Sequence, residues 1–290
     1  MLSPPPDFTD EDLAEALARH WNVRASRVVY RPVGFGSHHW QADDDWFATV
    51  DESPNFERLT AALHCAAEVP IAVAPIPTHR GDPLARAGDF AVTLYPYITG
   101  ESFDFDDYRD AEHRQATLDM VITVHQTPPN GAFTEDFATP ELTPLTDEGP
   151  YSRPAARLLA QHDTALTRLR TRYETLAAKV DRTRMVLTHG EPHAGNTMLT
   201  QAGWRLIDWD TALVAPPERD LWHLETPETL AAYEEATGVR PLPEMLELYR
   251  LHWDLTDLAE VTRDFSRPHR DTPNNAENWS ILSDILTSLP

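Results

Sequence analysis

The sequence has little of several features that would mark particular classes of protein. Its 290 residues include one cysteine, Cys65, which excludes a fold built on internal disulfides and favours a reducing compartment. No run of 18 apolar residues is present, so we expect no transmembrane helix. Residues 1–13 are acidic and rich in proline, which is unlike a signal peptide. We therefore expect a cytoplasmic protein without a membrane partner.

Positive charge is also scarce, and almost none of it is lysine. Twenty-four Lys and Arg residues stand against 47 Asp and Glu residues, giving a formal net charge of −23, and Lys179 is the single lysine. Such an excess of acid makes nucleic acid an unfavourable partner. It fits a cationic small molecule better, although acidic surfaces also serve solubility. The composition does not indicate an oligomeric state.

What the sequence does contain is a change of pattern near residue 100. Before it, the apolar periodicity predicts helices over residues 9–20 and 54–69 and strands over residues 27–32, 39–42, 46–50, 70–77 and 90–98. After it, helices are predicted over residues 108–125 and 154–180, and from residue 221 onward with breaks at 238–243 and 267–273. Two short strands are predicted over residues 185–188 and 204–207. We therefore expect an α+β fold with a small β-rich lobe, residues 1–98, and a larger helical lobe, residues 99–290.

The chemically informative segment is residues 187–221. It contains a carboxylate at Glu191, an amide at Asn196, and a second carboxylate, Asp208, directly after an apolar strand. In phosphoryl transfer, one carboxylate orients the attacking hydroxyl, while an amide oxygen and another carboxylate hold Mg²⁺ on the phosphates. Glu191 and Asn196 have the spacing of the aspartate and asparagine in the protein-kinase pattern H-R-D-x-x-x-x-N. Asp208 alone would be interpreted as a strand-end cap, but the three together favour a metal-ligand role.

Two stretches within this segment carry a family resemblance. They are His189-Gly190-Glu191-Pro192-His193-Ala194-Gly195-Asn196 and Leu206-Ile207-Asp208-Trp209-Asp210. The segment resembles the aminoglycoside phosphotransferase family, whose pattern is H-G-D-x-x-x-x-N followed by a strand that ends in I-D-W. The continuation, Ala215-Pro216-Pro217-Glu218-Arg219-Asp220-Leu221, looks most like the spectinomycin phosphotransferase branch. The resemblance implies a two-lobed protein-kinase-like fold, with ATP or GTP and Mg²⁺ as cofactors.

The resemblance also implies roles for individual residues of this segment. Glu191 falls on the family's catalytic aspartate, and His189 falls on a residue that orients the loop. Asn196 and Asp208 fall on the Mg²⁺ ligands. Glutamate in place of aspartate moves the carboxylate by roughly 1 Å, and a displacement of that size can reduce the rate about 100-fold. Because Pro192 follows directly, the loop geometry can be adapted to the longer side chain.

Three neighbouring residues have simpler interpretations. Asp220 falls where the family ties its catalytic loop to the start of a helix, but an ordinary helix N-cap explains an aspartate before Leu-Trp-His-Leu. Asp210 is interpreted as a solvated or secondary carboxylate. His193 is interpreted as a packed or hydrogen-bonded histidine.

The nucleotide-binding side departs from the family pattern. In this fold, a lysine on the third strand reaches the α- and β-phosphates. Thr49 takes that position here, and Lys179 lies far along the chain in the helical lobe. We expect either a surrogate cation, with Arg58 as first candidate, or a subsite without one. The other candidates are Arg31, His38 and His39.

Two further stretches are assigned to the nucleotide. Gly34-Phe35-Gly36-Ser37 resembles a phosphate-covering turn between two strands. Tyr95, Tyr97 and Ile98 lie at the expected lobe junction, where the family presents backbone groups to the adenine edge. An edge-strand proline between two packed tyrosines explains the second stretch equally well.

These assignments predict a Mg²⁺-dependent phosphotransferase that moves the γ-phosphate of a nucleotide to a hydroxyl of a small, cationic molecule. The resemblance implies an aminoglycoside- or aminocyclitol-like antibiotic, hence resistance or self-protection, and a metabolite is the other possibility. Trp253, Asp254 and Asp257 form an aromatic and acidic group on one predicted helix. We expect this group to line the substrate pocket, between the catalytic loop and the C-terminal helices, or to form a solvated acidic stripe. The alternative function is a pseudokinase that binds nucleotide or a small ligand without turnover.

Overall fold

The computed structural model of the chain describes residues 1–34, 36–105 and 107–289, so Phe35 of the predicted glycine turn lies outside the described part. The chain divides into two compact units. The first is Met1–Glu135 with Arg182–Pro241, and the second is Asp136–Asp181 with Leu242–Pro290. The lobe boundary expected after residue 98 lies within the first unit, and that boundary stays a prediction.

Helices and strands follow the chain in this order. The helices are α1 (Asp10–Trp21), α2 (Phe56–Ala66), α3 (Ala111–Gln126), α4 (Ser152–Gln161), α5 (Asp163–Ala177), α6 (Glu218–Leu221), α7 (Pro227–Thr237), α8 (Pro243–Phe265) and α9 (Pro273–Ser288). The strands are β1 (Val28–Arg31), β2 (His38–Ala42), β3 (Trp46–Glu52), β4 (Ala85–Ala87), β5 (Phe90–Pro96), β6 (Gly100–Ser102), β7 (Val186–Thr188), β8 (Thr197–Thr200), β9 (Gly203–Leu206) and β10 (Leu213–Ala215). Among the described residues, no helix is long and apolar enough to cross a membrane.

An antiparallel sheet forms the N-terminal part of the first unit, with strand order β1-β2-β3-β5-β4. Four of its strands confirm predictions, and β4 was not predicted. One face packs against α1 through a core that includes Leu13, Leu17, Trp40, Val50 and Leu94. Helix α1 begins where the sequence predicts, because Thr9 and Asp12 form a reciprocal capping box.

The other face of this sheet is the one that concerns function. Side chains alternate along a strand, so Thr49 and Asp51 of β3 share this face with Thr93 and Tyr95 of β5. Helix α2 packs beside it through Leu59 and Leu63, which lie in one cluster with Ala91 and the half-buried Tyr95. The face therefore combines an apolar edge under α2 with a row of hydroxyl and carboxylate groups.

The rest of the first unit holds two small sheets, β6-β8-β9 and β7-β10. The predicted strands at 185–188 and 204–207 are confirmed as β7 and β9, whereas β6, β8 and β10 were not predicted. The strand predicted over residues 70–77 is wrong: within the described chain the segment forms an isolated bridge between Ala72 and Leu206 and a single backbone hydrogen bond from Ile76 to Leu94, but no strand. Three prolines, at positions 70, 75 and 77, lack the N–H groups that a ladder requires.

The second unit contains helices α4, α5, α8 and α9. The single helix predicted over residues 154–180 is wrong, because α4 ends and α5 begins at His162. The His162 N–H contacts the carbonyl oxygens of both Leu158 and Leu159, and its side chain also bonds to Leu158 O. The predicted breaks at 238–243 and 267–273 are confirmed. Gly238 has a φ of 72°, and Pro243 and Pro273 each open the next helix.

Candidate active site

The loop between β7 and β8 carries the residues expected to be catalytic. His189 is buried at its start. Its Nε2 donates to the carbonyl of Ile207 at 2.9 Å, and its Nδ1 accepts from the backbone N–H of Glu191 at 3.2 Å. Burial lowers the pKa of His189 to about 4, which keeps the ring neutral as the accepting Nδ1 requires. His189 thus links Ile207, the residue before Asp208, to the backbone of Glu191. Its role is to position the loop.

Asp220 holds the backbone of the same loop. Its Oδ2 accepts from the N–H of His189 at 2.9 Å and its Oδ1 from the N–H of Gly190 at 2.6 Å. His125 Nε2 donates to Oδ2 at 3.0 Å. Burial by itself raises the pKa of Asp220, but the hydrogen bond and charge of His125 lower it to about 2. The N-cap interpretation of Asp220 is wrong, since Pro217 caps α6 and the carboxylate serves the loop.

Arg219 is a residue of this site that the sequence analysis did not single out. Its Nη1 donates to Thr188 Oγ1 and its Nη2 to the carbonyl of Thr211, both at 3.0 Å. The guanidinium packs against Gly190, which has a φ of 107°, and a Cβ there would lie 2.4 Å from Nη2. The positive φ favours glycine at position 190, and a larger residue would also displace the Arg219 guanidinium. Arg219 connects the catalytic loop to the segment after Asp208.

Asn196 is fixed with its amide nitrogen towards the catalytic loop. Nδ2 donates to the carbonyl of Glu191 at 2.9 Å, so Oδ1 is the end that can ligate a cation. The carbonyl of Asn196 accepts from the N–H of Ile207 at 2.9 Å, which holds the Asp208 segment alongside. Asp208 itself has a φ of 66°, a left-handed conformation that is strained for an aspartate. The structure thus brings the predicted pair, Asn196 and Asp208, onto adjoining segments.

Negative charge is concentrated around Asp208. Its side chain is accessible to solvent yet closely surrounded by protein. Desolvation raises its pKa well above the usual range, and the charges of Asp210, Glu191 and Asp51 raise it further. Burial, followed by the charge of Asp210, raises the pKa of Asp51 to about 7. A bound cation would offset both the desolvation of these carboxylates and their mutual repulsion.

Asn196 and Asp208 offer oxygen atoms, the kind of ligand that Mg²⁺ prefers. Among the described residues, no group of three or more His, Cys, Asp or Glu side chains could hold a metal ion. A cation here would take few ligands from the protein, Asn196 Oδ1 and Asp208. That is the usual arrangement for Mg²⁺ on a nucleotide, where phosphate and water oxygens complete the shell.

The structure places part of the predicted nucleotide-binding set on one face of the sheet. Gly34 and Gly36 both have positive φ angles, 67° and 97°, and Ser37 follows. The Ser37 hydroxyl donates a hydrogen bond to Asp51. Thr49 lies on the same face as Asp51. The sequence resemblance gives this strand position to the family's lysine.

The candidates for a surrogate cation have other partners or are uncharged. Arg58 is exposed on α2, with its guanidinium carbon 5.8 Å from the centroid of the Phe133 ring. Arg31 donates to the amide oxygen of Gln41. Burial lowers the pKa of both His38 and His39 to about 4, so both are neutral at pH 7.

The three residues expected at the lobe junction have different surroundings. Tyr95 lies inside β5, near enough to Asp208 and Asp51 for their charges to act on its hydroxyl. Tyr97 and Ile98 follow the strand. The backbone N–H of Tyr97 donates to the carbonyl of Asp45 at 2.7 Å, and its side chain is 40% exposed.

The acidic and aromatic group on α8 belongs to the second unit. Trp253, Asp254 and Asp257 lie on consecutive turns of one helix, and all three side chains are half-buried. Burial raises the pKa of Asp254 to about 6 and that of Asp257 to about 7, the latter with help from the charge of Glu260.

Comparison with known proteins gives three likenesses in addition to a family match. The family model described as "Phosphotransferase enzyme family" (APH) matches residues 30–262. Protein StrN of Streptomyces griseus is 30% identical over 241 residues, which are 74% of this chain and 71% of StrN. The spectinomycin phosphotransferase APH(9)-Ia, solved in complex with ADP and spectinomycin, has a TM-score of 0.67 at 17% identity and covers 98% of this chain and 99% of its own. A microcompartment-associated aminopropanol kinase has a TM-score of 0.63 at 13% identity, covering 96% and 95%. The structural likenesses confirm the expected fold class, with a β-rich N-terminal part and a helical C-terminal part.

Proposed function

Because this chain belongs to the phosphotransferase enzyme family, we propose that it moves the γ-phosphate of a nucleoside triphosphate to a hydroxyl group of a small, cationic molecule. The family confirms a kinase-type transferase and the resemblance to aminoglycoside phosphotransferases. The main observation behind the proposal is that hydrogen bonds join the segments that carry Glu191, Asn196 and Asp208. His189 and the amide of Asn196 tie the backbone of Glu191 to the segment that presents Asp208.

Glu191 is the proposed catalytic residue on the acceptor side. Its carboxylate orients the attacking hydroxyl and accepts the proton that the hydroxyl loses. In a loose transition state, orientation matters more than proton abstraction, so the rigid backbone of this loop is central. Asp220 and Arg219 supply that rigidity from α6.

Asn196 and Asp208 are the proposed Mg²⁺ ligands. A bound Mg²⁺ would neutralise negative charge that develops on the phosphoryl oxygens. The carboxylates around Asp208 would at the same time be relieved of their mutual repulsion. Gly34, Gly36, Ser37 and Thr49 form the proposed phosphate side of the nucleotide site.

The proposed acceptor carries both a hydroxyl group and an amine. Relatives are named for spectinomycin and for aminopropanol, which is an amino alcohol. The net charge of −23 and the acidic group on α8 favour a cation as well. An aminocyclitol-like antibiotic and a small amino-alcohol metabolite both have this chemistry. The comparisons give no support to the alternative of a pseudokinase. That alternative was raised because a threonine stands at position 49, where the family has a lysine.

A coupled assay of ADP or GDP release tests this function. We expect Mg²⁺-dependent turnover with at least one member of a panel of amino alcohols, aminocyclitols and aminoglycosides. Asp208→Asn should abolish the Mg²⁺-dependent part of nucleotide binding, because one charged ligand is lost. Glu191→Ala should leave nucleotide binding intact and lower kcat about 100-fold or more.

Asp119→Asn is the matched control, since Asp119 is exposed on α3 and accepts a hydrogen bond only from Gln115 among the side-chain contacts described. It should behave as wild type in both measurements. Turnover that survives Asp208→Asn would remove the metal assignment. Tight nucleotide binding without turnover on the whole panel would instead support the pseudokinase.

A further inference from the structure

The catalytic loop contains a second buried histidine, His193, two residues after Glu191. It lies directly before a single 3₁₀ turn, Ala194–Asn196, and the backbone N–H of Asn196 donates to the carbonyl of His193 at 3.0 Å. Side chains three residues apart in such a turn lie one above the other. The turn therefore brings the imidazole of His193 beside the side chain of Asn196, the proposed metal ligand.

The side-chain amide of Asn196 contacts two acceptors. Its Nδ2 lies 2.9 Å from the carbonyl oxygen of Glu191 and 3.3 Å from Nε2 of His193. Because a carbonyl oxygen only accepts, the end of the amide that faces Glu191 is the NH₂ group and not Oδ1. Nε2 of His193 faces the same NH₂ group and accepts from it, so both amide hydrogens are used. Oδ1 is thus the atom of this amide that can ligate a cation.

The imidazole of His193 is packed so that this contact is kept. Its ring centroid lies 4.4 Å from that of Phe105. It also lies close to Gly195, where a Cβ would be 3.2 Å from both Nδ1 and Cε1 of the ring. Within the described part of the chain, Nδ1 is buried and has no hydrogen-bond partner. The imidazole is therefore tied to Asn196 alone there, and the bond fixes the tautomer that carries its proton on Nδ1.

We propose that His193 is a positioning residue for Asn196, whose amide it holds with Oδ1 towards the bound cation. This assignment rests on the proposed Mg²⁺-dependent function. An asparagine amide that turned over would present NH₂ to the cation and would set Oδ1 against the carbonyl of Glu191 and the lone pair of His193. Two acceptors oppose that turn more strongly than one. Groups that orient a metal ligand in this way typically contribute about 10- to 100-fold to metal affinity.

Metal binding to the complex of the protein with ADP or GDP tests the proposal, with Mn²⁺ as the spectroscopic substitute for Mg²⁺. His193→Phe keeps an aromatic ring against Phe105 and removes the accepting nitrogen. We expect the Mn²⁺ affinity, measured by EPR titration, to fall about 10-fold. Nucleotide affinity in the presence of EDTA should equal that of the wild type. His193→Gln, whose Oε1 can accept from the same amide, should keep most of the Mn²⁺ affinity.

His64→Phe is the matched control, since His64 is exposed on α2. It should leave Mn²⁺ affinity unchanged. Asn196→Ala shows whether His193 acts through Asn196: once the ligand is removed, adding His193→Phe should lower the Mn²⁺ affinity no further. A measurement on the wild type needs no folded variant of His193→Phe. ¹⁵N NMR of the histidine-labelled protein, with His193→Gln used to assign the signal, should show the His193 proton on Nδ1.

Unchanged Mn²⁺ affinity in a folded His193→Phe variant would overturn the proposal and leave the metal site itself intact. A loss of the same size in the Asn196→Ala background would overturn it too, because His193 would then act independently of Asn196. So would a proton on Nε2 of the wild-type ring, since that nitrogen could not accept from the amide. A wild-type protein whose nucleotide complex binds no Mn²⁺ would remove the proposed metal-dependent function as well.

Discussion

At position 49, a threonine side chain lies within an acidic environment that would suit a lysine. Asp51 shares its strand face, and burial together with the charge of Asp210 raises the pKa of Asp51 to about 7. We predict that Thr49→Lys tightens nucleotide binding about 5-fold, because the new ammonium would meet the nucleotide phosphates on the proposed phosphate side of the site. Calorimetric titration with Mg²⁺-nucleotide measures this.

Thr175→Lys is the control for the added charge alone, since Thr175 is exposed on α5 in the second unit. It should leave nucleotide affinity unchanged. If Thr49→Lys fails to bind more tightly than this control, a surrogate cation already occupies the subsite. Arg58→Ala, which should otherwise bind normally, would then show whether Arg58 supplies it.

The glutamate at position 191 is one methylene longer than the family's aspartate. Its backbone N–H bonds to His189, and its carbonyl accepts from Asn196, so the loop cannot easily shift to follow a shorter side chain. We predict that Glu191→Asp keeps partial activity, with kcat lowered about 10- to 100-fold and nucleotide affinity unchanged. Steady-state kinetics on the acceptor found in the screen would measure both. A kcat at or above the wild-type value would show that the site is not built around glutamate.

Helix α6 is short, yet it organises two loops of the active site. Asp220 accepts from two backbone N–H groups of the catalytic loop, and His125 connects it onward to the hydroxyl of Tyr233. The lowered pKa of Asp220, about 2, means that its ionised form stabilises the folded state. That contribution is present above the ordinary pKa of about 3.9 and disappears as the pH falls towards 2.

We predict that Asp220→Asn lowers the free energy of unfolding by about 2 kcal/mol or more at pH 7, with a smaller difference from wild type at pH 3. It should also lower kcat, because the loop that carries Glu191 loses an anchor. Denaturant unfolding at the two pH values gives the first measurement. Asp119→Asn provides the baseline for a surface aspartate. A difference that is equal at both pH values would show that the carboxylate's charge is not what stabilises the fold.

The sequence predicts best the helices whose first residues are set by a local signal, such as a cap or a proline. Helix α1 starts at a capping box four residues long, and α8 and α9 each open at a proline after a break. The junction at His162 was missed because the apolar positions continue through it with helical spacing. The segment at 70–77 was assigned to a strand from its apolar residues, whereas its prolines prevent a ladder. Local signals such as caps and prolines thus predict where an element begins or ends better than a run of apolar residues predicts its type.

For the molecule as a whole, the site divides into a part that sequence spacing predicts and a part that only the fold supplies. Glu191, Asn196 and Asp208 lie on one short segment, so a motif is enough to propose them. Asp51 reaches the same centre from a strand of another sheet, and strand register decides its position. No pattern along the chain shows that proximity.

The acidic group on α8 bears on how the whole molecule uses its charge. Asp257 has its pKa raised to about 7 by burial, by Glu260 and by Asp254, so its ionised form opposes folding. By linkage, the protonated carboxyl of Asp257 favours the folded state at low pH, and this contribution to stability is lost as the pH rises through 7. Asp257→Asn should therefore raise the melting temperature more at pH 8 than at pH 5. A gain in stability of this kind would show that the ionised carboxylate costs the folded state free energy.

We predict that this acidic group binds a cationic acceptor. Asp257→Asn should weaken acceptor binding, added salt should weaken wild-type binding, and nucleotide affinity should hardly change in either case. Binding should also strengthen from pH 6 to pH 8, as the carboxylate ionises. Asp284→Asn, at an exposed site on α9, is the control and should leave acceptor binding unchanged. Acceptor binding that ignores both salt and Asp257→Asn would show that the acidity of α8 serves solubility, since a charged contact cannot be indifferent to its own removal.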